Sequence, residues 1–215
     1  QLLEAEQFLV AYMELEPEDR DTGKILSNLL IGRAYTLLND PDQRGEVKRL
    51  VEDALRFNPD EAKAFVVMGK LAHEQRSYAI AERYLDKAVG LLPEFEDARR
   101  QLATSRAALG YDCLLRKDLD GAARAWRRCL DAAPADFDGQ AIREQLGLLW
   151  GRFEAQGVAQ LKAGEIDAAV ASFRRCLDLD PEQHWASWLL ATALHRQEGS
   201  DVAEVERLCR EAILW

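Results

Sequence analysis

The sequence has few of the features that mark membrane, secreted or nucleic-acid-binding proteins. Its apolar runs all fall well short of the roughly 18 to 20 residues that a helix needs to cross a bilayer. No basic segment followed by an apolar one opens the chain, as in a signal peptide. Acidic residues outnumber basic ones by 38 to 28, giving a net charge of -10. Because a phosphate-tracking groove needs clustered lysine and arginine, we expect no nucleic-acid partner and no direct membrane insertion.

Residue types that carry catalysis or metal binding are also scarce. The three histidines include no HExxH motif and no pair four residues apart: they are His73, His184 and His195. The four cysteines include no CxxC, which is neither a zinc spacing nor a dense disulfide framework: they are Cys113, Cys129, Cys176 and Cys209. We interpret them as reduced thiols that fill the core of a cytoplasmic protein. The chain also lacks phosphate-loop, dinucleotide and nucleophile-elbow motifs. No catalytic residue, metal or cofactor is predicted, and the protein is not expected to be an enzyme.

What the chain does contain is an internal repeat. Gly69, Ala81, Leu85, Ala88 and Pro93 follow one another at intervals of 12, 4, 3 and 5 residues. The same intervals recur in two further sets, Gly110–Ala122–Trp126–Cys129–Pro134 and Gly157–Ala169–Phe173–Cys176–Pro181. Each set predicts two antiparallel helices that cross closely at the glycine, because a side chain there would wedge them apart. The proline then ends the pair, since it cannot continue a helix.

This pattern resembles the tetratricopeptide repeat, which runs W-x2-L-G-x2-Y, then A-x3-F, then P. Phe65, Met68 and Gly69 match its opening, and Ala81, Leu85 and Pro93 match its close. An earlier unit opens with Ile31, Gly32 and Tyr35 and closes with Val47, Val51, Ala54 and Pro59; a last one opens with Trp185 and Trp188, and Leu189 replaces its glycine. The resemblance implies an all-α fold, a right-handed superhelix of antiparallel helix pairs. It also gives Trp126 and Trp185 core positions.

The predicted organisation is one domain over 1–215 with eleven helices. It comprises a leading half repeat at 1–17 and repeats at about 22–60, 61–94, 95–135, 136–181 and 182–215. Helical periodicity predicts long first helices over about 95–116 and 137–162; alternatively, Gly147 and Gly151 break the second one. Neither end carries a polar cap, least of all Leu214–Trp215. Solenoids need terminal repeats with a polar outer face. We therefore expect this chain to be a portion of a longer protein, whose missing part could hold a signal sequence or a membrane anchor. The alternative is a homo-oligomer formed through these ends. The arginine- and alanine-rich composition hints at a bacterial source.

The resemblance implies a protein-interaction module whose first helices line a concave groove for a peptide or partner protein. The positions that contact ligands in the family fall here on Arg33, Lys63, Lys70, His73, Tyr111, Leu114, Glu154, Val158 and Leu161. This groove is expected to be basic toward its N-terminal end and apolar toward its C-terminal end. Alternatively, these residues are only the solvent-exposed surface of their helices. The family's carboxylate clamp is not expected, because Leu29 and Val67 occupy its lysine and asparagine positions. The alternatives are a regulatory or positioning domain of a larger enzyme and a self-assembling scaffold.

Overall fold

The computed structural model describes residues 2–197 and 199–213, so the predicted end at Leu214–Trp215 lies outside the described residues. Within them the chain forms eleven α-helices and one 3-10 helix, Pro41–Gln43, without any strand. The α-helices are α1 (Leu2–Leu15), α2 (Arg20–Leu37), α3 (Arg44–Phe57), α4 (Ala62–Glu74), α5 (Tyr78–Leu91), α6 (Glu96–Leu115), α7 (Leu119–Ala132), α8 (Gln140–Ala163), α9 (Ile166–Leu179), α10 (His184–Arg196) and α11 (Val202–Ile213). The all-α class is confirmed.

The helices belong to two compact units. Unit 1 comprises Gln1–Arg116 and Arg128–Phe137, and unit 2 comprises Lys117–Arg127 and Asp138–Trp215. Helix α7 therefore begins in unit 2 and ends in unit 1. The predicted single domain and its repeat boundaries stay a prediction.

Short turns with left-handed backbone geometry connect the two helices in several pairs. After α8, Gly164 has a φ of 80°, as is common just beyond the end of a helix. The N–H of Glu165 donates to the carbonyl of Gln160 at 2.9 Å, which satisfies an otherwise unpaired carbonyl. After α4, Arg76 has a φ of 57° without being glycine. There the N–H of Ser77 donates to Ala72 at 2.9 Å.

The two long first helices are continuous. Helix α6 has 20 residues and α8 has 24. Gly147 and Gly151 therefore do not break α8, so the alternative of a short extra helix is wrong. Each helical glycine costs about 1 kcal/mol relative to alanine. The buried side chains of Leu149 and Phe153, which are 4% and 2% exposed, offset that cost.

The predicted glycine crossings form in two repeats, one in each unit. A Cβ atom added to Gly69 would lie 2.5 Å from Cγ of Leu85, and one added to Gly157 would lie 2.5 Å from Cε1 of Phe173. Gly32, which stands 15 residues before Val47 instead of 12, makes no such crossing, because a Cβ atom there would meet no atom within 4 Å. In that repeat the 3-10 helix lies between α2 and α3, and the neighbouring Ile31 is buried.

The position four residues before each glycine differs between repeats. Phe65 and Phe153 occupy it before Gly69 and Gly157, and both are buried. In unit 1 the equivalent residue before Gly110 is Arg106, which is only 6% exposed. Its guanidinium donates to Glu82 at 2.8 Å, to Asp86 at 2.7 Å and to the carbonyl of Arg128 at 3.0 Å. A buried charge of this kind is tolerated because it is both paired and hydrogen-bonded.

Replacing Gly69 with alanine tests the crossing. The new methyl group would overlap Leu85, so we expect Gly69→Ala to lower the free energy of unfolding by about 1–3 kcal/mol. The matched control is Gly32→Ala, which adds the same methyl group to an open helix surface and should stabilise by up to about 1 kcal/mol. Urea unfolding followed by circular dichroism measures both. Equal effects of the two substitutions would contradict the assigned crossing.

Candidate partner-binding surfaces

Lys70 lies on α4 among polar groups of the neighbouring first helices of unit 1. Its Nζ is 2.9 Å from Oδ2 of Asp97 on α6 and 5.4 Å from the ring centroid of Tyr35 on α2. Burial raises the pKa of Tyr35 to about 12, with smaller contributions from Asp97 and Glu61. Asp97 therefore balances the charge of Lys70, and the contacts of Lys70 connect α4 to α2 and α6.

His73 faces the same neighbour, α6. Its Nδ1 is 3.0 Å from Oγ of Ser105, and its ring meets Tyr78 edge-on with centroids 5.2 Å apart. Burial lowers the pKa of His73 despite the opposing effect of Glu74. The imidazole is therefore neutral at physiological pH, and it adds a hydrogen bond between helices rather than a positive charge.

The other two predicted basic groups lie elsewhere in unit 1. Arg33 bridges the second helices, with Nη1 3.1 Å from Glu6 on α1 and Nη2 3.0 Å from Glu46 on α3. Lys63 is exposed at the start of α4. The structure thus brings Lys70 and His73 together against α6, whereas Arg33 turns toward α1 and α3.

The C-terminal part of α6 presents apolar surface. Tyr111 is 40% exposed, Leu114 is half-buried, and the adjacent Leu115 is 83% exposed. Sequence reasoning missed Leu115 because it lies outside the family's contact positions. The sequence feature that could have indicated an exposed Leu115 is its place in the last turn of a long helix, outside the repeat pattern.

In unit 2 the predicted residues divide between core and surface. Val158 and Leu161 are half-buried against a cluster that includes Phe173, Leu190 and Leu208, so packing uses much of their apolar area. Glu154 reaches the neighbouring first helix, where its carboxylate accepts a hydrogen bond of 2.7 Å from Nε1 of Trp185.

The tryptophans of unit 2 differ in exposure. Trp126 fills the core, with no exposed surface, as predicted. The core assignment of Trp185 is wrong, because this residue is 50% exposed and stacks on Trp188, itself 46% exposed. At the equivalent position of α4, Phe65 is buried in a cluster that also includes Ala98 and Leu102 of the following first helix. Trp150 is half-buried, and its Nε1 is buried without a hydrogen-bond partner.

The buried cysteines have environments that oppose nucleophilic chemistry. Burial raises the pKa of Cys129 to about 11 and that of Cys176 to about 12, whereas a reactive thiol needs a lowered pKa. Their thiols contact carbonyls of the neighbouring first helices, Ala103 at 3.1 Å and Trp150 at 3.7 Å. In the part of the chain that the structure describes, no three potential ligands cluster around a metal site. None of the described helices combines the length and apolar character needed to cross a membrane.

Alkylation should separate the four thiols into two classes. In the folded protein at about pH 8, we expect iodoacetamide to modify the half-buried Cys113 and Cys209 at least about tenfold faster than Cys129 and Cys176, because only thiolates react. Mass spectrometry of tryptic peptides measures the rates, and unfolding in urea should equalise them. Alkylation of Cys176 as fast as Cys209 in the folded state would contradict the assignment.

The family model for the tetratricopeptide repeat matches residues 154–183, from the second half of α8 through α9. These residues match a tetratricopeptide repeat, which confirms the resemblance drawn from the sequence.

Known proteins similar to the chain include one curated relative and several solved structures. A 91-residue segment, 42% of this chain, is 29% identical to Protein O-mannosyl-transferase TMTC1 of Mus musculus and covers 9% of that protein. The chain thus spans a small part of this relative. MamA from Desulfovibrio magneticus RS-1 is 17% identical, with 86% of this chain and 90% of that chain covered and a TM-score of 0.37. The tetratricopeptide-repeat protein YrrB is 18% identical, with 95% and 90% covered and a TM-score of 0.35.

Proposed function

We propose that the first helices of this tetratricopeptide-repeat chain line a groove that binds a peptide or partner protein. The observation that carries the proposal is that large apolar side chains stay exposed on a first helix of each unit. These are Tyr111 and Leu115 on α6 of unit 1, and Trp185 and Trp188 on α10 of unit 2. Grouped apolar surface of this kind is typical of interaction sites, and aromatic side chains are enriched at the centre of interfaces.

The contacts of the basic residues refine the chemistry expected of the partner. Arg33 and Lys70 are already paired with carboxylates, and His73 is hydrogen-bonded to Ser105. Binding a negatively charged partner would require breaking these pairs. We therefore propose that apolar contacts supply most of the affinity at α6, with Lys63 as an exposed positive charge on α4 of the same unit.

Substitution of the apolar surface on α6 tests the proposal. We expect Tyr111→Ala with Leu115→Ser to reduce the amount of partner captured from an extract of the native host by about tenfold or more, because interface hot spots are buried apolar anchors. Quantitative mass spectrometry measures the capture, and circular dichroism verifies folding. The control is Ile80→Ser on the second helix α5, where Ile80 is 49% exposed. Equal capture by the α6 and Ile80 variants would contradict the proposal.

A second candidate function is that the chain regulates or positions an enzyme domain within a larger protein. The similarity to a segment of a protein O-mannosyl-transferase favours it. Immunoblotting of the source cells with an antibody against this chain tests it. We then expect a band well above 24.3 kDa, and a band at that mass would contradict this candidate.

A further inference from the structure

A cleft of about 680 Å³ opens in unit 2 where α10 begins and α11 ends. Asp180 and Glu182 of the preceding turn, the first residues of α10 and Ala212 of α11 line it. His184 Nδ1 donates to the carbonyl oxygen of Glu211 at 2.8 Å and so fixes the start of α10 to the last turn of α11. Packing of two helices therefore shapes the cleft.

Two tryptophans form one wall of this cleft. The rings of Trp185 and Trp188 stack with centroids 4.8 Å apart and planes inclined by 16°. The 2.7 Å hydrogen bond from Trp185 to Glu154 orients the pair from the neighbouring helix. Because each ring uses one face in the stack, the exposed fractions of 50% and 46% leave aromatic surface for a ligand. The wall is held in place without a ligand, so binding would lose little side-chain entropy.

The carboxylates that line this cleft belong to Asp180 and Glu182. Neither lysine nor arginine is among its lining residues. A cation beside an aromatic ring and carboxylates is stabilised by a cation–π interaction with the ring and by charge-assisted hydrogen bonds to the carboxylates.

We propose that this cleft binds an arginine side chain of the partner, with the guanidinium stacked on Trp188 and its charge balanced by Asp180 and Glu182. Arginine fits better than lysine, because its planar and weakly hydrated guanidinium stacks on aromatic rings and pairs with carboxylates at the same time. The proposal rests on the proposed function, since the arginine belongs to the bound protein or peptide.

The test uses fluorescein-labelled tetra-arginine, tetra-lysine and tetra-citrulline peptides, titrated by fluorescence anisotropy. Citrulline keeps the planar shape of arginine and removes its charge. We expect binding to follow the order arginine, lysine, citrulline. Trp188→Leu should weaken tetra-arginine binding about fivefold or more, in line with the strength of a cation–π contact. Circular dichroism verifies that this exposed substitution leaves the fold intact.

The matched charge variants are Glu182→Gln in the cleft and Glu52→Gln on α3 of unit 1. Only the cleft variant should weaken binding, because both remove one negative charge but only Glu182 faces the proposed site. Equal losses of affinity in the Glu182→Gln and Glu52→Gln variants would show general attraction to an acidic protein. Equal affinity for the citrulline and arginine peptides would show apolar docking without a role for charge. Either outcome overturns the proposal. Host-partner capture that depends on Tyr111 and Leu115 but not on Trp188 would also overturn it, while leaving the proposed function standing.

Discussion

The close crossing of two helices at a glycine is the constraint on which the packing of these helix pairs depends. At Gly69 and Gly157 the facing side chain, Leu85 or Phe173, occupies the space where a Cβ atom would be. This approach lets large side chains of the second helix reach the backbone of the first, so Leu85 and Phe173 are fully buried. Removing these side chains from water is the main favourable contribution to each pair. This packing leaves some large first-helix side chains exposed, among them Tyr111, Leu115, Trp185 and Trp188.

The repeat pattern of the sequence predicted most of the helices, but few of the polar contacts between them. The repeat intervals predicted the crossings at Gly69 and Gly157, because each depends on residues close in sequence. Gly32 lies outside those intervals, and a Cβ atom there would meet no atom within 4 Å. The pairs that Lys70 and Arg33 form with Asp97 and Glu6 each join residues 27 positions apart, so no short pattern indicates them.

Exposure of the aromatic residues depends on neighbouring helices more than on repeat position. Trp185 occupies the position at which Phe65 and Phe153 are buried, yet half of it is exposed. The position of a residue in the repeat pattern predicts which side of its helix the residue lies on. Whether other helices bury that side depends on how the surrounding helices pack. Predicted groove residues consequently divided into structural ion pairs, core contacts and open surface. Among the predicted groove residues, the exposed ones are Lys63 and Tyr111, one basic and one aromatic.

The buried guanidinium of Arg106 has a consequence for how such a chain can evolve. Its carboxylate partners Glu82 and Asp86 belong to the preceding helix, α5, and its carbonyl partner Arg128 belongs to the following one, α7. Duplicating or transposing the helix that carries Arg106 next to other neighbours would leave a buried charge without counterions, which is strongly destabilising. The repeat that carries Arg106 is therefore not an interchangeable module, because its packing requires these specific charged neighbours.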